Sequence, residues 1–142
     1  RGSSKQKINQ SASGGELSRI MLAITMALSK VARTPTIIFD EIDAGIGGNA
    51  ADSVGEVLKQ LGTEQQIFCI THLPQIAARG ENHFSIRKIS ENGKIPVTEI
   101  RYLNSHDRVD EIARMLGNEF STETSVQHAT SLLLTHGKNT VN

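Results

Sequence analysis

Two continuous apolar runs, each closing on polar residues, constrain this chain more than any other feature. Thr36-Ile37-Ile38-Phe39 ends on Asp40-Glu41, and residues 66–71 end on His72. Runs without polar alternation mark strands covered on both faces, as in parallel sheets. Between them Ala51, Val54, Val57, Leu58 and Leu61 recur at helical spacing, with Gly62 as a stop. Ahead of them Leu17, Ile20, Met21, Ile24, Leu28 and Val31 do the same, until Thr34-Pro35 ends that helix. Pro74 suits the first turn of a short helix reaching about Ala78. The order helix, strand, helix, strand, helix implies parallel strands joined by crossover helices. The expected fold is therefore α/β, a mostly parallel sheet with flanking helices.

The pattern then changes. Residues 83–89 and 96–103 alternate in polarity around Glu91-Asn92-Gly93-Lys94, and Asn-Gly is a strong hairpin signal. Pro96 puts the second strand near an edge or its own start, so the hairpin is expected to be peripheral. Helices are expected near residues 108–116 and 123–134, with Gly117 and Gly137 as stops. Residues 1–9 read as a linker or cloning stub, 10–137 as one domain by length, and 138–142 as a loose tail.

Charge narrows the function classes. Lys and Arg total 15 and Asp and Glu total 15, which argues against a nucleic-acid patch covering the whole domain. The single cysteine, Cys69, cannot form an internal disulfide and sits in an apolar run. It suits a reducing cytoplasm and reads as a small core residue. No apolar run reaches membrane-spanning length, and no signal peptide opens the chain.

The chemistry concentrates at three places. Ser13-Gly14-Gly15 opens the first helix, with Glu16 three positions after Ser13 in a capping-box pattern. The free first-turn amides and the helix dipole make such a start an anion site, and two glycines let a phosphate approach the backbone. A glycine-rich cap with no ligand fits the same residues equally well. Asp40-Glu41 ends a buried parallel strand, where α/β sheets bind ligands. One carboxylate there suits Mg²⁺ held through water and phosphates, and its neighbour can orient and deprotonate a water. The competing reading is an acidic pair that only caps the next turn. His72 is expected at the same sheet edge, either as a donor to a phosphoryl group or as a plain turn residue. Asp43 suits a turn cap. A phosphate-cradling loop would read G-x-x-x-x-G-K-[ST]. Only Gly93-Lys94 and Gly137-Lys138 place Lys after Gly, and neither completes that pattern.

Taken together these residues resemble the C-terminal lobe of an ABC-type ATPase head. Ser13-Gly14-Gly15-Glu16 resembles the signature motif, Ile37-Ile38-Phe39-Asp40 with Glu41 the Walker B strand and catalytic acid, Ile42-Asp43-Ala44-Gly45 the D-loop, and His72 the switch histidine. Ala12 and Glu16 depart from the commoner Leu-Ser-Gly-Gly-Gln, which points away from transporters. Within the class the chain is similar to the RecN family, bacterial SMC-like proteins of DNA double-strand break repair. The stretches carrying that likeness include Ser13 to Ala23, Phe39 to Gly48, Thr71 to Ala77 and Glu111 to Gly117.

The resemblance implies two heads sandwiching two ATP molecules, with the P-loop in an N-terminal lobe beyond a coiled-coil hairpin. Asp40 would help place Mg²⁺, Glu41 would activate water, and His72 would contact the γ-phosphate. Ser13 and Gly15, within the signature stretch that Gly14 and Glu16 complete, would bind the partner head's nucleotide. Asp43 would couple the two sites. The implied partners are the N-terminal lobe, a second head in a homodimer, and DNA through the full-length protein. The implied location is the bacterial cytoplasm and nucleoid, with no membrane association. A non-catalytic dimerisation module and the ATPase subunit of a transporter are the alternatives. Lacking a P-loop, the isolated chain is expected neither to bind ATP tightly nor to hydrolyse it. Calorimetry on the purified chain checks this, and micromolar affinity would overturn it.

Overall fold

The computed structural model describes residues 13–28, 34–90, 95–117 and 122–136. The elements run α1 (Gly14–Leu28), β1 (Thr36–Phe39), α2 (Gly48–Gly62), β2 (Gln66–Cys69), α3 (Pro74–Ala77), β3 (Phe84–Ile89), β4 (Val97–Tyr102), α4 (Ser105–Leu116) and α5 (Glu123–His136). The chain divides into two compact units, one ending at Ile76 and the other beginning at Ala77.

In the first unit β1 and β2 pair in parallel, Thr36 opposite Gln66 and Phe39 opposite Cys69, with α2 as the crossover. Its core gathers Leu22 of α1, Phe39 of β1, Ile42, then Ala51, Leu58 and Leu61 of α2, and Ile76. Ile37, Ile67 and Cys69 pack against that cluster from the sheet. Burial, and after it the charges of Asp43 and Asp40, push the Cys69 thiol up to about 12. Cys69 is therefore an inert packing residue, as expected of it.

Two expectations fail here. The sheet is covered on one face only: Ile38, Phe68 and Ile70 are exposed, Ile38 to 67%. Among the described residues no second layer covers that face, so the unbroken apolar runs are half exposed. The helix α1 also turns the other way. Its apolar positions Leu17, Ile20, Met21, Ile24 and Leu28 are exposed, and it packs through Gly15 and Leu22, with Ser18, Arg19 and Met26 half-buried. Close backbone approach at Gly15 and side-chain hydrogen bonds from Ser18 and Arg19 decide that face, rather than apolar area. Val31 lies outside the described residues.

The second unit holds the antiparallel hairpin of β3 and β4, with Phe84 opposite Tyr102 and Ile89 opposite Val97, and the helices α4 and α5. The turn at 91–94 lies outside the described residues. Ala78, Ile112, Ala113 and Ala129 form its core, joined by half-buried Val109, Val126, Leu132 and Leu133. The helix α4 starts three residues earlier than its apolar periodicity indicates. Asn104 caps it by accepting from the Asp107 amide at 2.9 Å, so a polar first turn is stable. Thr122 and Ser125 cap α5 reciprocally. The Arg108 guanidinium of α4 donates to the carbonyls of Ala77, Ala78 and Gly80, pinning the turn after α3.

One face of the hairpin carries Ser85, Arg87 and Arg101. Arg87 reaches Glu111 at 2.9 Å and Arg101 reaches Asp107 at 3.5 Å, both on α4. The other carries Phe84 and Ile86 opposite Tyr102 and Ile100, exposed, with the two rings edge to face at 5.3 Å.

Glu111 is buried and takes Arg114 at 2.6 Å as well as Arg87. The Arg114 hydrogen bond first, and Arg87 after it, outweigh burial and hold its carboxyl below the ordinary 4.5. A depressed carboxyl contributes stability that is present above the unfolded value and lost as pH falls through the folded one. The chain should therefore lose stability as pH drops below about 4.5. Glu111→Ala should cost about 1–2 kcal/mol near neutral pH, less than a fully buried pair because both arginines are half exposed. Urea unfolding at neutral and acid pH checks both statements. Equal midpoints for the two proteins would show that the cluster contributes nothing.

Candidate functional site

The polar residues singled out from the sequence gather at the carboxyl edge of the parallel pair, all within the first unit. The β1 and β2 strands end in register, and the Ile70 amide donates to the Phe39 carbonyl at 2.9 Å. Asp40 and His72 therefore leave the sheet on the same edge, as their positions predict. The segment after β1 alternates: Asp40 and Glu41 are exposed, Ile42 and Asp43 are buried. Ile42 has no exposed surface and anchors the loop in the core.

The loop is tight. Ala44 donates to the Glu41 carbonyl at 3.0 Å and Ile46 to the Asp43 carbonyl at 3.3 Å. Glu41 itself lies in the left-handed region at φ 56, a conformation that costs a residue with a Cβ on the order of 1 kcal/mol. Nothing in the sequence signals that conformation.

The start of α1 is seated on this loop. A Cβ on Gly15 would lie 2.7 Å from the Ala44 Cβ and 2.9 Å from the Ala44 and Glu41 carbonyl oxygens. A Cβ on Gly14 would land on the Glu41 carboxylate. Ser18 donates its hydroxyl to the Asp40 carbonyl at 2.7 Å. Arg19 donates to the carbonyls of Ala44 at 2.8 Å and Ile42 at 3.2 Å. Sequence reasoning missed Ser18 and Arg19 as positioning residues. The available signal was their place on the helical face of Gly15, three and four residues on.

The capping box forms as its pattern predicts. The Ser13 amide donates to Glu16 Oε2 at 2.7 Å, and the Glu16 amide donates to Ser13 Oγ at 3.3 Å. The Ser13 amide and then its hydroxyl hold the Glu16 carboxyl below its ordinary value, so an anion already sits at this helix start. Among the described residues the Gly14 and Gly15 amides carry no hydrogen bond.

Asp40 takes up the turn-capping reading. Its Oδ1 accepts from the Glu41 amide at 2.9 Å, capping the turn, while Oδ2 has no protein partner among the described residues. One exposed carboxylate beside another fits Mg²⁺, which takes one or two protein carboxylates and completes its shell with water and phosphate oxygens. Among the described residues the one cluster of three metal-ligating groups is His106, Asp107 and Asp110 on α4. Those acids serve the Asn104 cap and the Arg101 and His106 pairs.

Asp43 and His72 meet directly. Asp43 Oδ2 accepts from the Thr71 hydroxyl at 2.6 Å and from the His72 amide at 2.8 Å, and lies 2.9 Å from His72 Nδ1. Burial pushes the Asp43 carboxyl up, but the Thr71 hydroxyl, the His72 amide and the His72 ring outweigh it and hold it low. No hydrogen bond among the described residues joins Glu41 to His72.

A parallel pair with acids at its carboxyl edge and a small-residue helix start seated on the following loop is the fold of an SMC/ABC-type ATPase head lobe. The chain belongs to the RecF/RecN/SMC N terminal domain family, whose family model matches residues 4–95. It is similar to the DNA repair protein RecN of Xylella fastidiosa (strain 9a5c), 48% identical over 82% of this chain and 21% of that protein. RecN of Deinococcus radiodurans is 48% identical over 86% of this chain and 21% of its own length. RecN of Haemophilus influenzae is 42% identical over 93% and 24%. The chain thus spans about a fifth to a quarter of the curated relatives it matches. A solved structure from work on ATP-driven dimerization and DNA stimulated activation of SMC ATPases aligns with a TM-score of 0.56 at 22% identity. That alignment covers 84% of this chain and 70% of the other, and it shows the shared fold.

The seating of α1 makes a prediction. In a helix Ala is favoured over Gly by about 1 kcal/mol, but at Gly15 the new Cβ meets backbone that cannot turn aside. Gly15→Ala should destabilise the chain by about 1–3 kcal/mol. Gly62→Ala, where a Cβ meets nothing within 4 Å, should be neutral or slightly stabilising. Thermal unfolding of both variants checks the contrast, and equal effects would refute the close approach.

Proposed function

We propose that this chain is the C-terminal lobe of an ATP-hydrolysing SMC-like head that acts in DNA double-strand break repair and recombination. In this reading ATP is sandwiched between two heads, the acids of one facing the helix start of the other. The observation that carries it is the contact between Gly14 and the Glu41 carboxylate. A Cβ on Gly14 would meet that carboxylate, so the base and its own helix start stand side by side and a phosphate placed between them would face a like charge. That crowding favours a reading in which the two motifs serve different nucleotides, held between two heads. The structural neighbour, with its ATP-driven dimerization, supports the same arrangement.

In that mechanism Glu41 orients a water and takes its proton, and its left-handed backbone sets the direction of the carboxylate. Asp40 would hold Mg²⁺, since its carboxylate is exposed beside that of Glu41. The metal, when bound, offsets charge on the phosphates. The Gly14 and Gly15 amides and the Ser13 hydroxyl contact the γ-phosphate of the opposite head, and His72 contacts the γ-phosphate on its own side. The P-loop and its lysine belong to an N-terminal lobe of the same protein, so the chain by itself completes a site without catalysing.

That lobe is also the occupant proposed for the open apolar surfaces of the first unit. Covering Ile38, Phe68 and Ile70 is worth on the order of 3–6 kcal/mol. DNA is engaged by the full-length protein in the bacterial cytoplasm, at the nucleoid. Among the described residues no helix is long and apolar enough to cross a membrane.

In the full-length protein Glu41→Gln should slow hydrolysis on the order of 10²-fold while ATP binding survives. Ser13→Arg should block the helix start and be nearly inactive too. Mixing the two inactive proteins with subunit exchange should restore part of the activity, because one site of the heterodimer joins an intact Glu41 to an intact Ser13. Heterodimers that form and stay dead, when a heterodimer with one mutated chain is active, would place both motifs on one nucleotide.

A further inference from the structure

We propose that Asp43 and Thr71 are positioning residues for His72, acting inside one chain rather than across a dimer. The inference rests on reading His72 as the group that meets the γ-phosphate. The imidazole is 72% exposed and the Asp43 side chain 5%, so a surface ring is tied to a buried anchor. Two donors converge on one oxygen, Asp43 Oδ2, the Thr71 hydroxyl and the His72 amide, and His72 Nδ1 lies 2.9 Å from the same oxygen. Thr71 is itself fixed from the other side, since its Oγ1 accepts from the Leu73 amide at 3.0 Å. Its one hydroxyl proton therefore points at Asp43. Ile42, on the other side of Asp43, has no exposed surface and locks the backbone that carries the carboxylate.

This arrangement fixes which edge of the ring is presented. With Nδ1 held beside the Asp43 carboxylate, Nε2 is the nitrogen left to meet a ligand. With a second proton it donates to a phosphoryl oxygen, and the carboxylate beside Nδ1 balances the charge. Rotation of the ring would break the Nδ1 contact, so the aim of Nε2 is set by Asp43. Asp43 Oδ2, with two donors and the His72 ring inside its own unit, is committed there, and direct contact with a second head through that oxygen would break the anchor.

The test is a double-mutant cycle on ATPase turnover of the full-length protein. His72→Ala should lower kcat by about tenfold or more. Thr71→Val, close in shape but without the hydroxyl, should lower kcat several-fold, on the order of 3–10-fold, with KM for ATP little changed. Thr71→Ser should recover activity to within about twofold of the parent, because the hydroxyl is what matters. Asp43→Asn, which keeps the shape and one acceptor, should behave like Thr71→Val. In the His72→Ala background Thr71→Val and Asp43→Asn should add less than about twofold. Losses that persist in full without His72 would show that Asp43 and Thr71 act independently of it, and would overturn the inference while leaving the proposed ATPase intact. Parental turnover in His72→Ala would instead refute the role of His72 itself, and the positioning role with it. Unfolding midpoints of the single variants separate a fold defect from a loss of aim. A Thr71→Val loss explained by unfolding, and absent once the folded fraction is allowed for, also overturns it.

Discussion

The close approach of Gly15 to the loop after β1 is the contact on which the first unit depends. An α-helix ordinarily packs through apolar side chains at 8–10 Å between axes. At Gly15 the absence of a side chain lets the α1 backbone come down on Ala44 and on the Glu41 carbonyl. That approach brings Ser18 and Arg19 within reach of the carbonyls of Asp40, Ile42 and Ala44. Loop carbonyls at a strand end are otherwise left to water, and an arginine fork that takes two of them makes the loop rigid. The second unit repeats the device. Arg108 of α4 collects three carbonyls from the turn after α3. In both units a helix arginine joins a buried apolar residue, Ile42 in one and Ala78 in the other, in fixing the connection that follows a short element.

The parts of this fold legible in the sequence are those set by local chemistry. The capping box at Ser13 and Glu16, the parallel pair, the glycine stop at Gly62, and the hairpin strands flanking Asn92-Gly93 each follow from residues close together in the chain. What stayed hidden depends on contacts distant in sequence. Leu17, Ile20, Met21, Ile24 and Leu28 form the better apolar stripe of α1, yet the helix packs through Gly15 and Leu22. Periodicity reports where apolar residues lie and says nothing of which face meets this unit. Likewise an unbroken run such as Ile37-Ile38-Phe39 reports that both faces of a strand suit burial, and the described residues cover one. At the site, residue types indicated the acids, the helix start and the histidine. The left-handed Glu41 and the anchoring of His72 on Asp43 through Thr71 had no local signal.

The two hidden features share a meaning. Exposed isoleucines and phenylalanine on a central parallel pair are costly to leave in water and are a liability for association. A chain that matches about a fifth to a quarter of its relatives' length and keeps such faces open has the surface of a part. If the lobe proposed above covers them, the apolar residues of α1 and of the sheet would belong to the core of a larger body. The chemistry of the residues would then be as their periodicity indicates.

The seating of α1 also bears on how the site would respond to a nucleotide. Gly15 touches Ala44, Ala44 is bonded to Asp43, and Asp43 holds the Nδ1 edge of His72. Each contact is short, and Gly15 and Asp43 are buried, so the series has little slack up to the exposed His72 ring. An anion bound at the Gly14 and Gly15 amides must displace or repel the two carboxylates already there, Glu16 at the Ser13 amide and Glu41 beside Gly14. Moving Glu41 means turning a side chain whose backbone is already in the left-handed region, and Glu41 supplies the carbonyl that Gly15 rests on. In the proposed reading, occupation of the helix start by a phosphate would therefore bear on the base that activates water at the other nucleotide. Two sites built this way would sense each other through the loop alone.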